Sequence, residues 1–192
     1  MFFLPSCHFK QVRNTPEHKQ KLLDLFSSYT DKKYQQNPDE DAVTDWFYCH
    51  KNRVQPDYYS YVCNALKGEL KEINNYFGFH DTRVTDMWFQ QTVKSQRHGA
   101  HTHGSVGLSC IWYLEFDPTA HQPTLFHAPF THPLTGANLE FQPQVDEGDL
   151  FVFPSYVYHE HLASYSDKRR TVISFNILRD RTSKELGTQL YI

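Results

Sequence analysis

The sequence predicts a mainly β (α+β) fold, a β-sandwich or jelly roll with N-terminal helices packed on one sheet. Three observations predict it. Aromatic residues make up 16% of the chain, a composition that suits pleated walls lined with rings. Helical periodicity is confined to roughly the first 80 residues, ahead of the main run of strand-like stretches. Beyond that point short apolar runs alternate with turns, with no βαβ alternation.

The elements follow in order. Met1 to Val12 reads as an early strand or arm. Thr15-Pro16-Glu17 is a helix start: Thr15 can cap, Pro16 suits the first helical position, and Glu17 complements the dipole. Leu22, Leu23, Leu25, Phe26 and Tyr29 continue it, with an end near Thr30 to Lys33. Tyr34 to Thr44 is a polar loop, the Asp39-Glu40-Asp41 cluster within it a solvated one, and Asp45 to Tyr48 a short strand or turn. Gln55-Pro56-Asp57 opens a second helix. Its stripe of Tyr59, Val62, Leu66, Leu70, Ile73 and Phe77 runs to a stop at Gly78.

Val84 to Val93 and Ser105 to Phe116 read as strands, with Trp88, Phe89 and Trp112 as core. Asp117 to Pro133 is a Pro/His-rich loop, and its His121, His127 and His132 are loop residues. Ala137 to Gln142, Leu150 to Phe153 and Thr171 to Leu178 complete the strands. The chain reads as a single domain over 1–192: a helical support region over about 1–80, a β core over about 84–178 and a tail over 179–192.

Composition excludes several classes. A net charge of −3 without a Lys/Arg block argues against nucleic acid. No apolar run approaches the roughly 18 residues a membrane span needs. MFFLPSCHFKQ lacks the basic start of a secretory signal, and Cys7, Cys49, Cys63 and Cys110 form no C-x-x-C pair. The expectation is a cytoplasmic protein with free, mostly buried thiols.

Twelve histidines point elsewhere. In an extended strand His101 and His103 share a face, the spacing for two ligands of one ion. A later strand must supply the third. The segment from Phe153 turns at Pro154 and presents His159, with His161 as a competitor on the same face and Glu160 pointing away. His101, His103 and His159 would leave metal positions open, which implies catalysis rather than a closed structural site. His98 reads as a surface or outer residue. On spacing alone His101 and His103 suit an exposed strand or turn equally well; His159 and Arg170 tip the balance. Arg170, Val172, Ser174 and Asn176 share one face of their strand, and Thr171, Ile173, Phe175 and Ile177 the other. A polar column backed by an apolar one suits a pocket for a carboxylate. Parity with Ser174 and Asn176 favours Arg170 over Arg169.

An H-x-H, a distal His after an FPS-type strand end, and an Arg eleven residues later resemble the 2-oxoglutarate/iron(II)-dependent oxygenase superfamily. More closely, the chain looks like a branch of small oxygenases of bacteria and phages. The matching blocks are Trp88, His101 to Ser105 with Trp112-Tyr113, Gly148 to His159, and Arg170 to Asn176; the likeness covers about 84–178.

The resemblance implies a double-stranded β-helix of cupin-like type, with Fe(II) as metal and 2-oxoglutarate and dioxygen as cosubstrates. It implies decarboxylation to succinate and CO2 coupled to oxidation of a C–H bond, most simply hydroxylation. His101, His103 and His159 are carried over as iron ligands and Arg170 as the partner of the distal carboxylate. Tyr113 is a candidate for the same carboxylate, and Gln90 for the keto-acid end. One departure stands out: His103 occupies a position where the wider superfamily uses a carboxylate.

The rival readings are a three-histidine, cupin-like dioxygenase or isomerase that ignores 2-oxoglutarate, and a non-catalytic metal or small-acid binding module. The substrate stays open, as does a homodimer. Loops Asp117 to Pro133 and Tyr34 to Asp57 are the expected places for substrate selection.

Overall fold

The computed structural model describes residues 6–12, 15–27, 42–79 and 82–179. Among them run β1 (Cys7–Phe9), α1 (Pro16–Ser27), β2 (Val43–Thr44), α2 (Trp46–Asn52), α3 (Tyr59–Ala65), α4 (Lys67–Phe77) and β3 (Thr82–Thr92). After them come β4 (His98–His101), β5 (Leu108–Glu115), β6 (Leu125–Thr131), β7 (Asn138–Phe141), β8 (Leu150–Pro154), β9 (Tyr158–His161) and β10 (Arg170–Arg179). Two antiparallel sheets form the β part. The larger has the order β1-β8-β5-β10-β3-β2 and the smaller β4-β9-β6-β7. This is a double-stranded β-helix with its helices on one sheet.

Strand alternation decides the layers. Leu108, Cys110, Trp112 and Leu114 of β5, Ile173, Phe175 and Ile177 of β10, and Met87 and Phe89 of β3 face the helices. There they pack with Leu22, Phe26, Tyr58, Val62, Leu66 and Ile73. The opposite faces of the same strands look inward. Ile111, Tyr113, Phe151, Phe153 and Val172 meet Phe126 of the smaller sheet in a second core. Both faces of the central strands are therefore buried; β5 and β8 read as near-continuous apolar runs, and β10 is buried from Arg170 to Ile177 with its polar column turned inward.

Several expectations need correction. The second helix is two, α3 and α4, broken at Leu66 where φ is −95° and ψ 13°. The hydrogen bonds Leu66 N to Val62 O and Leu70 N to Leu66 O carry the ladder across the break, so the apolar stripe survives it. Asp45 to Tyr48 is neither strand nor turn: Trp46 opens α2. The stretch 117–133 contains β6. Pro129, with no N–H to give, sits where the β6–β7 register shifts between His127 and Thr131. The expected helix extension through Tyr29, the acidic cluster at Asp39 to Asp41 and the tail beyond Arg179 lie outside the described residues. All four cysteines are free, and no described helix is long and apolar enough to cross a membrane.

Candidate active site

Two bulges aim the site. In the β4–β9 ladder His98 faces His161 and His101 faces His159, with two residues between them on β4 and one on β9. The extra residue twists β4 and turns His101 toward β9. β4 ends at His101, so His103 is not on the strand as the periodicity implied; it follows in a bend. His103 N donates to Ser155 O at 2.9 Å, and Ser155 N to Gly107 O at 3.1 Å, which pins that bend to the end of β8. The second bulge lies in β3, opposite Asn176, where the β10 register jumps between Phe175 and Ile177.

The three imidazoles converge. One ligand atom from each of His101, His103 and His159 lies within 4.8 Å of the others, and no other such group of three occurs among the described residues. Their outer nitrogens are all engaged. His101 Nδ1 donates to Gly99 O at 2.7 Å and His159 Nδ1 to Val157 O at 2.9 Å. His103 Nδ1 donates to Asn176 Oδ1 at 2.8 Å, with Ser109 Oγ also at 2.8 Å. These bonds set the tautomer, leaving each Nε2 with a free lone pair. His101 Nε2 and His103 Nε2 stand 3.1 Å apart. Two lone pairs that close repel unless a cation lies between them.

Charge state fits the same role. Burial, then the neighbouring imidazoles, pushes His159 down to about 2. Burial likewise pushes His103 down to about 4, with Asn176 opposing. Both are neutral bases at neutral pH, as a metal ligand must be.

Arg170 lies across the cavity and is 1% exposed. Its Nε and Nη1 have no hydrogen-bond partner, and no carboxylate pairs with it among the described residues. Burial lowers its pKa against the opposing effect of the Tyr113 hydroxyl. An unpaired guanidinium in a dry interior costs several kcal/mol, so an anionic ligand is the natural occupant of the space it faces. Val172, Ser174, Gln90, Thr124 and Ile111 line this inner cavity together with Arg170 and the three histidines.

The remaining expected residues distribute as follows. Tyr113 lies behind the cavity wall, its ring 5.4 Å from the Arg170 carbon, and its hydroxyl donates to Thr124 Oγ1 at 3.0 Å. Gln90 lines the cavity and bonds His98 Nδ1. Ser174 faces inward beside Arg170, whereas Asn176 lines an outer cleft and holds His103.

Three histidines stand elsewhere than composition suggested. His98 lines the cavity, its ring 4.2 Å from that of His101. His121 is buried, accepting from Asp117 N at 2.9 Å and donating to Lys168 O at 3.1 Å. His161 is buried at the Arg170 end of the cavity; its Nε2 meets Thr92 Oγ1 at 3.0 Å, and its Nδ1 has no partner. The signal for His161 was its parity with His159, which the sequence read as an outer or exposed residue or as a competitor for the metal.

A jelly roll with three imidazoles and a buried arginine around one cavity is the frame of a non-haem metal oxygenase. The family described as Putative 2OG-Fe(II) oxygenase matches residues 86–176, the span that carries all of these residues. No curated protein matches the chain in sequence. Among solved structures, a Pseudomonas putida prolyl-4-hydroxylase aligns over 92% of this chain and 93% of its own at 15% identity, with a TM-score of 0.63. The α-ketoglutarate-dependent epimerase SnoN from nogalamycin biosynthesis aligns over 92% and 78% at 13% identity, TM-score 0.68. HygX from Streptomyces hygroscopicus, solved with nickel, 2-oxoglutarate and hygromycin B, aligns over 93% and 84% at 9% identity, TM-score 0.61. At these identities the structures speak for the fold.

Residues 86–176 thus match a family of the 2-oxoglutarate- and iron(II)-dependent oxygenase class. Iron(II), 2-oxoglutarate and dioxygen are the metal and cosubstrates of that class.

Proposed function

We propose that the chain is a hydroxylase in which His101, His103 and His159 hold iron(II) and Arg170 holds the distal carboxylate of 2-oxoglutarate. The observation that carries this reading is the opposition, across one cavity, of three converging free imidazole nitrogens and a buried guanidinium with no anion. Iron(II) with the keto acid supplies dioxygen activation, coupling decarboxylation to succinate with oxidation of a substrate C–H bond.

The chain's own residues bind and orient. Gly99 O, Val157 O and Asn176 Oδ1 keep each Nδ1 protonated and each Nε2 available. Arg170 offers a charge-assisted, two-pronged grip on a carboxylate. His161 adds a second donor there. With Thr92 Oγ1 donating to its Nε2, the unpartnered Nδ1 carries the proton and is available to an anion in the cavity that His161 and Arg170 both line. Thr124, steadied by Tyr113, adds a hydroxyl. Phe126 and Phe153 pack against the His159 ring at 5.8 and 4.8 Å and keep water from that flank.

The test is anaerobic reconstitution with iron(II) and 2-oxoglutarate, followed by the visible charge-transfer absorption of an iron–keto-acid chelate, then oxygen-dependent succinate release. Arg170→Ala should abolish the absorption at cosubstrate levels that saturate the wild type. No absorption and no calorimetric binding of 2-oxoglutarate in the iron-loaded protein would count decisively against the reading.

One observation favours a second reading. Three neutral imidazoles without a carboxylate match a three-histidine dioxygenase or isomerase that ignores 2-oxoglutarate. That reading leaves Arg170 buried without a partner, and it predicts metal spectra indifferent to 2-oxoglutarate.

A further inference from the structure

The metal-facing histidines open outward onto a second, larger cleft of about 550 Å³. It shares Trp88, His98, His101 and His103 with the inner cavity, so a molecule seated there reaches the histidine cluster directly. The volume is that of a small-ligand site.

Its walls have a distinct chemistry. Trp46 packs edge-on against Trp88 with ring centroids 4.7 Å apart, and Trp88 in turn meets His103 at 5.1 Å. His50 stacks on Trp46 at 4.9 Å, and Phe47, 42% exposed, continues the wall. The same cleft is lined by Asp86, the one Asp, Glu, Lys or Arg in its lining. Asp86 belongs to the irregular part of β3, opposite Asn176, which presents it to the cleft. Its carboxylate takes a hydrogen bond from Thr85 Oγ1 at 3.0 Å and a long one from Asn176 Nδ2 at 3.5 Å. No ion pair joins it to a cation among the described residues; Arg53 lines an adjoining hollow to which Asp86, Trp46 and His50 also contribute.

Aromatic faces attract cations through their quadrupoles, and a lone carboxylate beside them adds charge complementarity. The same lining repels an anion and offers it no donor of fixed positive charge. Building on the oxygenase reading, we propose that this cleft is the primary-substrate site. It takes a substrate with an ammonium or guanidinium group on a flat or aliphatic body. The cation sits between Asp86 and the Trp46 ring, and the carbon to be oxidised lies toward His101 and His103. The linkage Asp86–Asn176–His103 sets the scale: the charged group binds two hydrogen-bonded residues away from a metal-facing imidazole.

The test separates the cleft from the cosubstrate site. Binding to the metal-free protein is followed by tryptophan fluorescence and calorimetry, with arginine against citrulline and lysine against norleucine as charged and neutral partners of similar shape. The same residues in capped peptides form a second arm, distinguishing a free metabolite from a protein side chain. Either source supports the proposal if the cationic member binds at least tenfold tighter than its neutral partner. Asp86→Asn should erase that preference, Asp86→Glu should keep it, and Trp46→Ala should weaken the cation about tenfold, all without changing 2-oxoglutarate affinity in the iron-loaded protein. Equal binding of charged and neutral partners in both arms, or a preference that survives Asp86→Asn, overturns it. Because this readout needs neither metal nor cosubstrate, its failure is distinct from a failure of the oxygenase reading, which the charge-transfer absorption reports.

Discussion

Asn176 Oδ1 accepts a hydrogen bond from His103 Nδ1 at 2.8 Å, and Ser109 Oγ donates to the same amide oxygen at 3.0 Å. The strand that carries Arg170 thus also orients the least conventional histidine of the site. Asn176→Ala should lower metal affinity by about ten- to a hundredfold, the usual cost of losing an outer-shell partner. Asn176→Asp keeps an acceptor oxygen and should stay near wild type. Titration calorimetry with manganese or cobalt checks both, and equal affinity for Asn176→Ala would mean Ser109 alone holds the ring.

Arg170 predicts an opposed pair of effects. Its buried charge has no partner until an anion binds, so Arg170→Met removes a desolvated ion and fills similar space. Without ligand the variant should unfold at a higher temperature. A gain of about 1–3 kcal/mol corresponds to several degrees for a chain of this size. Its affinity for 2-oxoglutarate should fall roughly a hundredfold. Thermal scans with and without iron(II) and 2-oxoglutarate read both; a lower melting temperature of the ligand-free variant would show that the charge is already satisfied.

The period-2 pattern made one half of this site legible and hid the other. Arg170, Val172 and Ser174 face the cavity because β10 is regular there, and regular strands are what alternation describes. His101 and His103 come together by another route, a bulge in β4 followed by a bend, which no count of residues reveals. Trp46-Phe47-Tyr48-Cys49 has a strand-like composition, yet it is helical because Trp46 then packs edge-on against Trp88 and Cys49 is buried. Tertiary packing overrides local propensity in so short a segment. β6 was obscured by Pro129, which a register shift accommodates. His161 and Asn176 were visible as polar residues of the right parity, but only three-dimensional contacts show the free Nδ1 of one and the His103 bond of the other.

Asp45 gives a pH prediction. It is wholly buried, accepting from Tyr58 Oη at 2.6 Å and Phe89 N at 2.9 Å, and burial pushes its pKa from 3.8 up to about 7 despite those bonds. The fold therefore binds this proton more tightly than the unfolded chain does. Its contribution to stability is complete below pH 3.8, declines as pH rises toward 7, and levels off above it. About three pH units correspond to an effect on the order of 4 kcal/mol. His103 and His159, whose pKa values are depressed, act in the opposite sense, gaining stability up to pH 6.5. The difference between wild type and Asp45→Asn isolates the carboxyl. In urea unfolding, Asp45→Asn should gain on the wild type steadily from pH 4.5 to 7.5, and a flat difference would sink the assignment.

Gly107 ties the His103 bend to β5, and its backbone leaves no room for a side chain. Its φ is +93°, a conformation that residues with a Cβ avoid, and an added Cβ would lie 2.5 Å from Leu178 Cδ2 and 2.6 Å from Ile177 O. The leucine methyl can rotate away, but the carbonyl of β10 cannot move without disturbing the ladder to Leu108. Gly107→Ala should therefore cost about 3 kcal/mol from backbone strain and overpacking together. The melting temperature should drop by roughly 6–12 °C. Because Gly107 O also accepts from Ser155 N, and Ser155 O holds His103 N, the strain passes to the metal-facing bend. Metal affinity should fall alongside stability even at temperatures where the variant is fully folded. Circular dichroism melts paired with cobalt titration at 10 °C check this; loss of stability with unchanged cobalt affinity would show that the bend holds its shape independently of Gly107.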